Sequence, residues 1–167
     1  MGVCRAHKKA VVALAWEPAH LAYPVKRFVS GSKDGTVRVW DADRRQNVFS
    51  MSGHTKDVTS VKWGGEGLVY SGSRDGTIKV WDGKDGRCVR TLQGHGHWVN
   101  SLALSSDYVL RTGPFDHHGR RPEGDAEAQA AAKDRYDDDP NELTRVPCYI
   151  YKCVFISSSS SLDDPHP

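Results

Sequence analysis

The sequence has few residues of the kinds that cross-link a chain or place it in a membrane. Its four cysteines, Cys4, Cys88, Cys148 and Cys153, are too scattered for a disulfide scaffold, so we expect free thiols. No run approaches the ~20 apolar residues that a membrane helix needs. The first residues also lack the apolar segment of a secretory signal peptide. A membrane-spanning protein is therefore excluded, and secretion is not expected.

Charge is nearly balanced overall but unevenly distributed. The 23 basic and 21 acidic residues leave a net charge of +2. Residues 1–113 hold 17 of the basic and 10 of the acidic ones, and residues 114–167 hold the remaining 6 and 11. The organisation therefore changes near residue 114. Residues 114–145 are predicted to be an acidic low-complexity insertion with little to bury, apart from a short helix over 126–133.

A twelve-residue segment repeats within the basic part. Residues 30–41 read Ser-Gly-Ser-Lys-Asp-Gly-Thr-Val-Arg-Val-Trp-Asp. Residues 71–82 follow 41 positions later and read Ser-Gly-Ser-Arg-Asp-Gly-Thr-Ile-Lys-Val-Trp-Asp. A Gly-His pair at 53–54 recurs at 94–95 with the same offset. This period indicates a repeat architecture, in which each unit buries its faces against its neighbours.

Each unit is predicted to contain four short strands. In the second unit, β-branched and aromatic residues between Gly and Asp turns predict strands near Val58–Trp63, Leu68–Ser73, Thr77–Trp81 and Cys88–Leu92. A third unit begins at Val99 and never reaches a Trp-Asp pair. We therefore predict an all-β fold of about two and a half four-stranded units, followed by an irregular C-terminal tail.

A Trp, a Ser, a His and an Asp recur at fixed spacing in both units. The indole N–H can donate to the Ser hydroxyl, the hydroxyl to one His nitrogen, and the other His nitrogen to the carboxylate. Ser, His and Asp also form catalytic triads, but a catalytic set occurs once in a chain, whereas this set occurs in each unit. We therefore expect a structural network and no enzyme activity.

The units resemble WD40 repeats in their order of Gly-His, Ser-x-Ser-x-Asp-Gly-Thr and Trp-Asp. The resemblance implies a partial β-propeller, with blades near 7–53 and 54–93 and a partial blade at 94–113. It also implies one set of four hydrogen-bonding residues, a tetrad, in each blade: His7, Ser30, Asp34 and Trp40 in the first, His54, Ser71, Asp75 and Trp81 in the second, with His95 beginning a third set. Ser32 and Ser73 are alternatives for the hydroxyl, because they point to the same face as Ser30 and Ser71.

Other segments are more specific than a general WD40 motif. Residues 94–100 read Gly-His-Gly-His-Trp-Val-Asn, and residues 110–113 read Leu-Arg-Thr-Gly. Over residues 7–115 the chain is similar to the Notchless family, which acts in maturation of the large ribosomal subunit. The resemblance implies a non-catalytic scaffold in the nucleus or nucleolus, whose partners are proteins of the pre-60S ribosomal particle and rRNA. A general WD40 adaptor in signalling, a truncated fragment without function and a cytoplasmic location are the alternatives.

The chain also departs from that family. Family members carry an N-terminal ubiquitin-like domain that docks onto the AAA-type ATPase midasin. This chain begins six residues before a blade, so contact with midasin is not expected. Residues 146–167 resemble no blade, and we expect them to be a disordered or aberrant tail. Two and a half blades should leave open sheet faces.

Three residues are candidates for an interaction surface. Lys33 and Arg74 precede the turn Asp in equivalent places, and Trp98 aligns with Asp57 by the 41-residue offset. Trp98 is either a contact residue or a cap over the loop of a blade. The basic bias of residues 1–113 fits an RNA-rich partner, and it equally fits a solvated cationic surface.

No cofactor, metal, small-molecule substrate or membrane partner is predicted. The histidine pairs at positions 95 and 97 and at 117 and 118 have no cysteine or carboxylate at the spacing of a structural zinc site. Neither a Walker-type nor a Rossmann-type glycine pattern occurs.

Overall fold

The computed structural model describes residues 4–104, 107–116, 118–138 and 153–154. Within these residues the chain forms two four-stranded antiparallel sheets, a two-stranded pair and two helices. The first sheet contains β1 (Val11–Trp16), β2 (Arg27–Ser32), β3 (Thr36–Asp41) and β4 (Gln46–Ser52), and the second contains β5 (Val58–Trp63), β6 (Leu68–Ser73), β7 (Ile78–Asp82) and β8 (Cys88–Leu92). The strands predicted for the second unit are confirmed to within one residue.

Each sheet is a meander in which consecutive strands pair. The β2–β3 and β6–β7 turns are built on the repeated Asp-Gly pair. Gly35 and Gly76 adopt φ angles of 80° and 79°, which residues with a side chain rarely tolerate. The repeat therefore places the same turn, with the same backbone geometry, at the same end of both sheets.

The sheets pack face to face because glycines in β2 and β6 leave room for valines. A β-carbon on Gly31 would lie 2.7 Å from Cγ1 of Val61 and 2.8 Å from Cγ1 of Val58, both in the second sheet. A β-carbon on Gly72 would lie 2.7 Å from Cγ1 of Val99 in the third unit. Methyl groups thus lie directly on the backbone of the preceding sheet. The core between the first two sheets contains Val29, Val37, Val39, Met51, Val58, Val61, Trp63, Val69 and Trp81.

The other face of the first sheet has no covering sheet among the described residues. Leu14 and Trp16 are 63% and 59% exposed, whereas their equivalents in the second sheet, Val61 and Trp63, are 3% and 4% exposed. Side chains at equivalent strand positions are therefore exposed or buried, depending on whether a neighbouring sheet covers them.

The third unit covers the far side of the second sheet. Val99 and Leu102 are buried there against Ile78. The short strand β9 (Ala103–Leu104) pairs antiparallel with β10 (Cys153–Val154). Helix α1 (Asp107–Thr112) follows β9 along the chain. Residues 139–145 of the predicted insertion, and residues 146–152 and 155–167 of the predicted tail, lie outside the described residues.

Helix α2 (Asp125–Asp137) extends beyond the predicted short helix at both ends. Ala128 and Ala132 are buried, and Arg135 Nη1 donates to the Gly113 carbonyl over 3.0 Å. The expectation that this segment has little to bury is therefore wrong for 125–137. The small alanine side chains give the helix a close approach to the rest of the fold.

A stack of two rings attaches α2 to the sheets. The Tyr136 ring lies on the His20 ring with centroids 4.3 Å apart, and Gln129 Nε2 donates to the His20 carbonyl over 3.2 Å. His20 Nε2 in turn donates to the Gly65 carbonyl over 2.7 Å. Burial lowers the pKa of His20, so the imidazole is neutral at neutral pH. The loop after β1, the turn after β5 and the helix are thereby joined.

We predict that Gly65→Ala releases α2 from the sheets, because the new β-carbon would collide with the Tyr136 ring. Hydrogen exchange of the backbone amides in residues 125–137 should accelerate by at least about tenfold, while β6 and β7 stay protected. Gly96→Ala is the matched control, since a β-carbon at Gly96 meets nothing within 4 Å. Unchanged exchange in α2 of the Gly65 variant would contradict this account of docking.

Candidate functional site

Both sheets place equivalent loops at one end of the molecule, and we call this end the upper surface. Two backbone hydrogen bonds join neighbouring loops there. Lys33 N–H donates to the Ala10 carbonyl over 3.0 Å, and Arg74 N–H donates to the Asp57 carbonyl over 2.9 Å. The upper surface consists of residues 7–10, 33–35, 54–57, 74–76 and 95–98.

A four-residue network lies directly beneath the upper surface of the second sheet. Trp81 Nε1–H donates to Ser71 Oγ over 2.8 Å, and the Ser71 hydroxyl donates to His54 Nε2 over 2.8 Å. His54 Nδ1 lies 2.9 Å from Asp75 Oδ2. Because an ionised carboxylate only accepts, His54 Nδ1 carries the proton. A strand tryptophan is thus connected to the turn aspartate through two side chains.

The first sheet repeats this network. Trp40 Nε1–H donates to Ser30 Oγ over 2.7 Å, and the Ser30 hydroxyl lies 2.7 Å from His7 Nε2. His7 Nδ1 lies 3.1 Å from Asp34 Oδ2. The structure therefore brings together all eight residues that the repeat assigns to the two complete sets.

The two other serines of the repeat form hydrogen bonds to loop carbonyls and not to the tryptophans. Ser32 Oγ donates to the Lys9 carbonyl over 3.1 Å, and Ser73 Oγ donates to the Lys56 carbonyl over 3.3 Å. The hydroxyl that receives the indole proton is that of Ser30 in the first sheet and Ser71 in the second.

Each turn aspartate has an additional partner that the sequence analysis missed. Asp75 Oδ1 accepts from the Thr77 backbone N–H over 2.9 Å and from the Thr77 hydroxyl over 2.6 Å. Thr36 makes the same two bonds with Asp34, over 2.9 and 2.6 Å. The signal was present, because a Thr follows Asp-Gly in both copies of the repeat.

The hydrogen bonds keep both carboxylates ionised. Burial raises the pKa of Asp75, but bonds from Thr77, His54 and the Thr55 N–H outweigh it and lower that pKa to about 2. The same balance, with bonds from Thr36, the Lys8 N–H and His7, holds the pKa of Asp34 well below its usual range. Burial lowers the pKa of His54, more strongly than the neighbouring Asp75 raises it. The second network is therefore a neutral imidazole between a hydroxyl and an ionised carboxylate.

This arrangement cannot present a nucleophile to a substrate. Ser71 is fully buried, and its oxygen already accepts the indole proton while its own proton faces His54. Ser30 is buried in the same way. What the network can do is fix the position of the turn residues that lie above it.

His95 lies on the upper surface, with its carbonyl oxygen 3.0 Å from the position of a β-carbon on Gly76. Residues 99–167 contain no tryptophan, whereas Trp40 and Trp81 complete the first two sets.

The structure brings two of the three candidate contact residues together. The Arg74 guanidinium lies 4.5 Å from the centroid of the Trp98 ring, and Arg74 Nη1 lies 3.7 Å from Asp57 Oδ2. Trp98 nevertheless remains 41% exposed. Arg74 therefore positions Trp98 across the junction between the second sheet and the third unit, a contact worth about 0.5–1 kcal/mol at an exposed site. Lys33, the equivalent of Arg74, is exposed and has no ion pair among the described residues.

Ion pairs are distributed unevenly between the two ends of the sheets. In the part of the chain that the structure describes, the ion pair of Arg74 is the one lysine or arginine pair on the upper surface. Four lysines there are exposed and form none: Lys8, Lys9, Lys33 and Lys56. At the opposite, lower end of the sheets, the ion pairs are Lys26–Asp43, Arg27–Glu17, Arg44–Asp41 and Arg87–Asp85. Two further pairs involve the first residues of the helices, Lys62–Asp107 and Arg121–Asp125.

The described residues contain neither a metal-binding cluster nor a membrane span. No group of three or more His, Cys, Asp or Glu side chains gathers there around a possible ion position. No described helix is both long and apolar enough to cross a bilayer. Cys4 and Cys88 are exposed free thiols.

The repeats match a known family model. The model for the WD domain, G-beta repeat, matches residues 1–41, 45–82 and 86–113, which together make up more than half of the chain. The chain belongs to the WD40 family. A solved structure of U3-55K is similar in fold, with a TM-score of 0.52 and 27% identity over 59% of this chain and 29% of that one. The prediction of a partial propeller of four-stranded blades is thereby confirmed.

Two curated relatives are more similar in sequence. Protein Notchless of Drosophila melanogaster is 51% identical over 109 residues, which cover 65% of this chain and 22% of the relative. Ribosome assembly protein 4 of Saccharomyces cerevisiae is 51% identical over 123 residues, which cover 72% of this chain and 24% of the relative. The chain thus spans less than a quarter of the length of either relative. The resemblance to the Notchless family is confirmed over this part.

We predict that Asp75→Ala lowers the free energy of unfolding by about 1–3 kcal/mol, because it leaves His54 Nδ1–H and the Thr77 N–H without their acceptor. Asp85→Ala is the matched control, since Asp85 is an exposed carboxylate whose one side-chain partner among the described residues is its neighbour Arg87. Chemical denaturation of both variants measures the difference. Equal stability of the Asp75 variant and the parent chain would show that the network does not stabilise the blade.

The free energy of unfolding should also fall in acid. The unfolded chain protonates its carboxylates near pH 4, whereas Asp75 stays ionised in the folded chain down to about 2. Stability from this carboxylate is therefore complete above about pH 4 and is lost as the pH falls through about 2. Denaturation curves across this range should show that the free energy of unfolding of Asp75→Asn depends less steeply on pH than that of the parent chain. Some pH dependence should remain, because Asp34 is still present. An identical dependence in both proteins would contradict the assignment.

Proposed function

We propose that this chain is a non-catalytic WD40 scaffold that takes part in assembly of the large ribosomal subunit. The observation that carries the proposal is the 51% identity to Protein Notchless and to Ribosome assembly protein 4 across the blades. A general signalling adaptor has no comparable observation in its favour.

The absence of catalysis is part of this proposal. The Ser, His and Asp side chains that recur in the repeats are engaged with each other and with a buried indole. Their role in the proposal is to hold loops in place for a partner. A scaffold needs that rigidity, since a preformed surface loses less conformational entropy on binding.

The proposed contact surface is the upper surface, with Lys33 and Trp98 facing the partner and Arg74 holding the Trp98 ring. Lys33 supplies a charge that no described carboxylate neutralises. Trp98 supplies a partly exposed aromatic ring, the kind of side chain that is enriched where binding energy concentrates. The proposed partners are pre-60S particle proteins and rRNA, and the proposed location is the nucleus and nucleolus.

Co-sedimentation with pre-60S particles from a cell extract tests the proposal. We expect the parent chain to sediment with the particles, and we expect Trp98→Ala and Lys33→Glu each to reduce the bound fraction several-fold. Lys84→Glu is the matched control, because Lys84 is an exposed lysine at the lower end that forms no ion pair among the described residues. A parent chain that stays at the top of the gradient would contradict the proposed function.

A further inference from the structure

The four unpaired lysines of the upper surface lie in loops whose backbones are held by hydrogen bonds. The carbonyls of Lys9 and Lys56 accept from the buried hydroxyls of Ser32 and Ser73. The backbone N–H of Lys8 donates to Asp34 over 2.8 Å. The backbones of Lys8, Lys9 and Lys56 therefore bond to buried side chains beneath the surface, while all four lysine side chains are exposed.

The lysine loops are contiguous. Lys33 N–H donates to the Ala10 carbonyl, which connects its turn with the segment carrying Lys8 and Lys9. A β-carbon on Gly35 would lie 3.2 Å from the Lys56 carbonyl oxygen, so the Lys33 turn also touches the next loop. The four ammonium groups thus belong to one surface that runs across the first sheet to the second.

The carboxylates of this surface are not available to neutralise those lysines. The oxygens of Asp34 and Asp75 accept from imidazole, hydroxyl and backbone donors beneath the surface. Asp57 is engaged by Arg74. Because the exposed groups are mainly cationic, the surface attracts a polyanion.

An aromatic ring stands at one end of the same surface. Trp98 is 41% exposed and is held in place by the Arg74 guanidinium. A row of cations beside an exposed aromatic ring is the combination that binds single-stranded nucleic acid, where phosphates meet cations and an unpaired base stacks on the ring.

We infer that the upper surface binds single-stranded RNA, with Lys8, Lys9, Lys33 and Lys56 contacting the phosphates and Trp98 stacking on a base. The inference rests on the proposed function, which supplies an RNA-rich particle as the setting. It goes further in naming the ligand, single-stranded RNA, and the residues that contact its phosphates and a base.

The test is direct binding of a short, fluorescently labelled, single-stranded RNA of mixed sequence to the full chain, followed by anisotropy at several salt concentrations. Replacing the four lysines with Gln should weaken binding at low salt by at least about tenfold. It should also reduce the slope of log affinity against log salt by up to about 3, since each contact with single-stranded RNA contributes roughly 0.7. Trp98→Ala should weaken binding at every salt concentration and leave the slope unchanged.

The matched control removes the same number of charges elsewhere. Lys84, Arg90, Arg120 and Lys133 are exposed, form no ion pair among the described residues and lie outside the upper surface. Their fourfold replacement with Gln should leave RNA affinity within about twofold of the parent chain, and equal thermal midpoints should show that both variants are folded. Equal losses in the two variants, or no loss in the lysine variant, would overturn the inference.

Three further outcomes bear on the inference and on the proposed function. An unlabelled RNA duplex that competes as well as the single strand would overturn the stacking of an unpaired base. Particle co-sedimentation without RNA binding would overturn this inference and leave the proposed function standing. RNA binding without co-sedimentation would support the inference and contradict the proposed function.

Discussion

The close approach between a glycine backbone and the valines of the following unit is the contact on which the whole arrangement depends. Gly31 receives Val58 and Val61, and Gly72 receives Val99, at distances that leave no space for a side chain. Because the two contacts are equivalent, the second sheet lies on the first as the third unit lies on the second. The position of every upper loop relative to its neighbour follows from this stacking.

The hydrogen-bond networks stabilise each sheet in addition to that stacking. Each one connects a strand tryptophan to its own turn aspartate, so it fixes the loops of one sheet without involving the next. Packing between the sheets is mainly hydrophobic, with a few hydrogen bonds such as that from the Val99 N–H to the Ser73 carbonyl, whereas the four-residue networks act within each sheet. Both kinds of contact hold the loops of the upper surface from beneath.

Much of the fold could be predicted from the sequence, because the same residue pattern occurs in two successive units. The strands over 58–92 could be predicted from the alternation of side chains and from the Asp-Gly turns. The contacts within each tetrad could be predicted because hydrogen-bond donors and acceptors recur at the same spacing in both units. Contacts that occur once carry no such signal. Gln129 meets the His20 carbonyl across 109 residues, and the buried alanines of α2 lie in a segment whose acidic composition suggested exposure.

The candidate contact residues show the same limit. Exposure of Lys33 could be expected from its place in a turn, but the packing of Arg74 on Trp98 could not. Position 57, the equivalent of 98, carries an aspartate, so the first junction offers no aromatic ring for comparison. Only the geometry shows that the Arg74 guanidinium lies over this ring, 4.5 Å from its centroid.

The short chain distances within each network bear on the order in which the protein folds. His54 and Ser71 are 17 residues apart and Ser71 and Trp81 are 10 apart, so closing the second network involves only small loops. Short loops cost less entropy to close than long ones. During synthesis, each network can close as soon as its own tryptophan leaves the ribosome. The sheets can therefore form one after another from the N-terminus, each offering a finished glycine surface to the next.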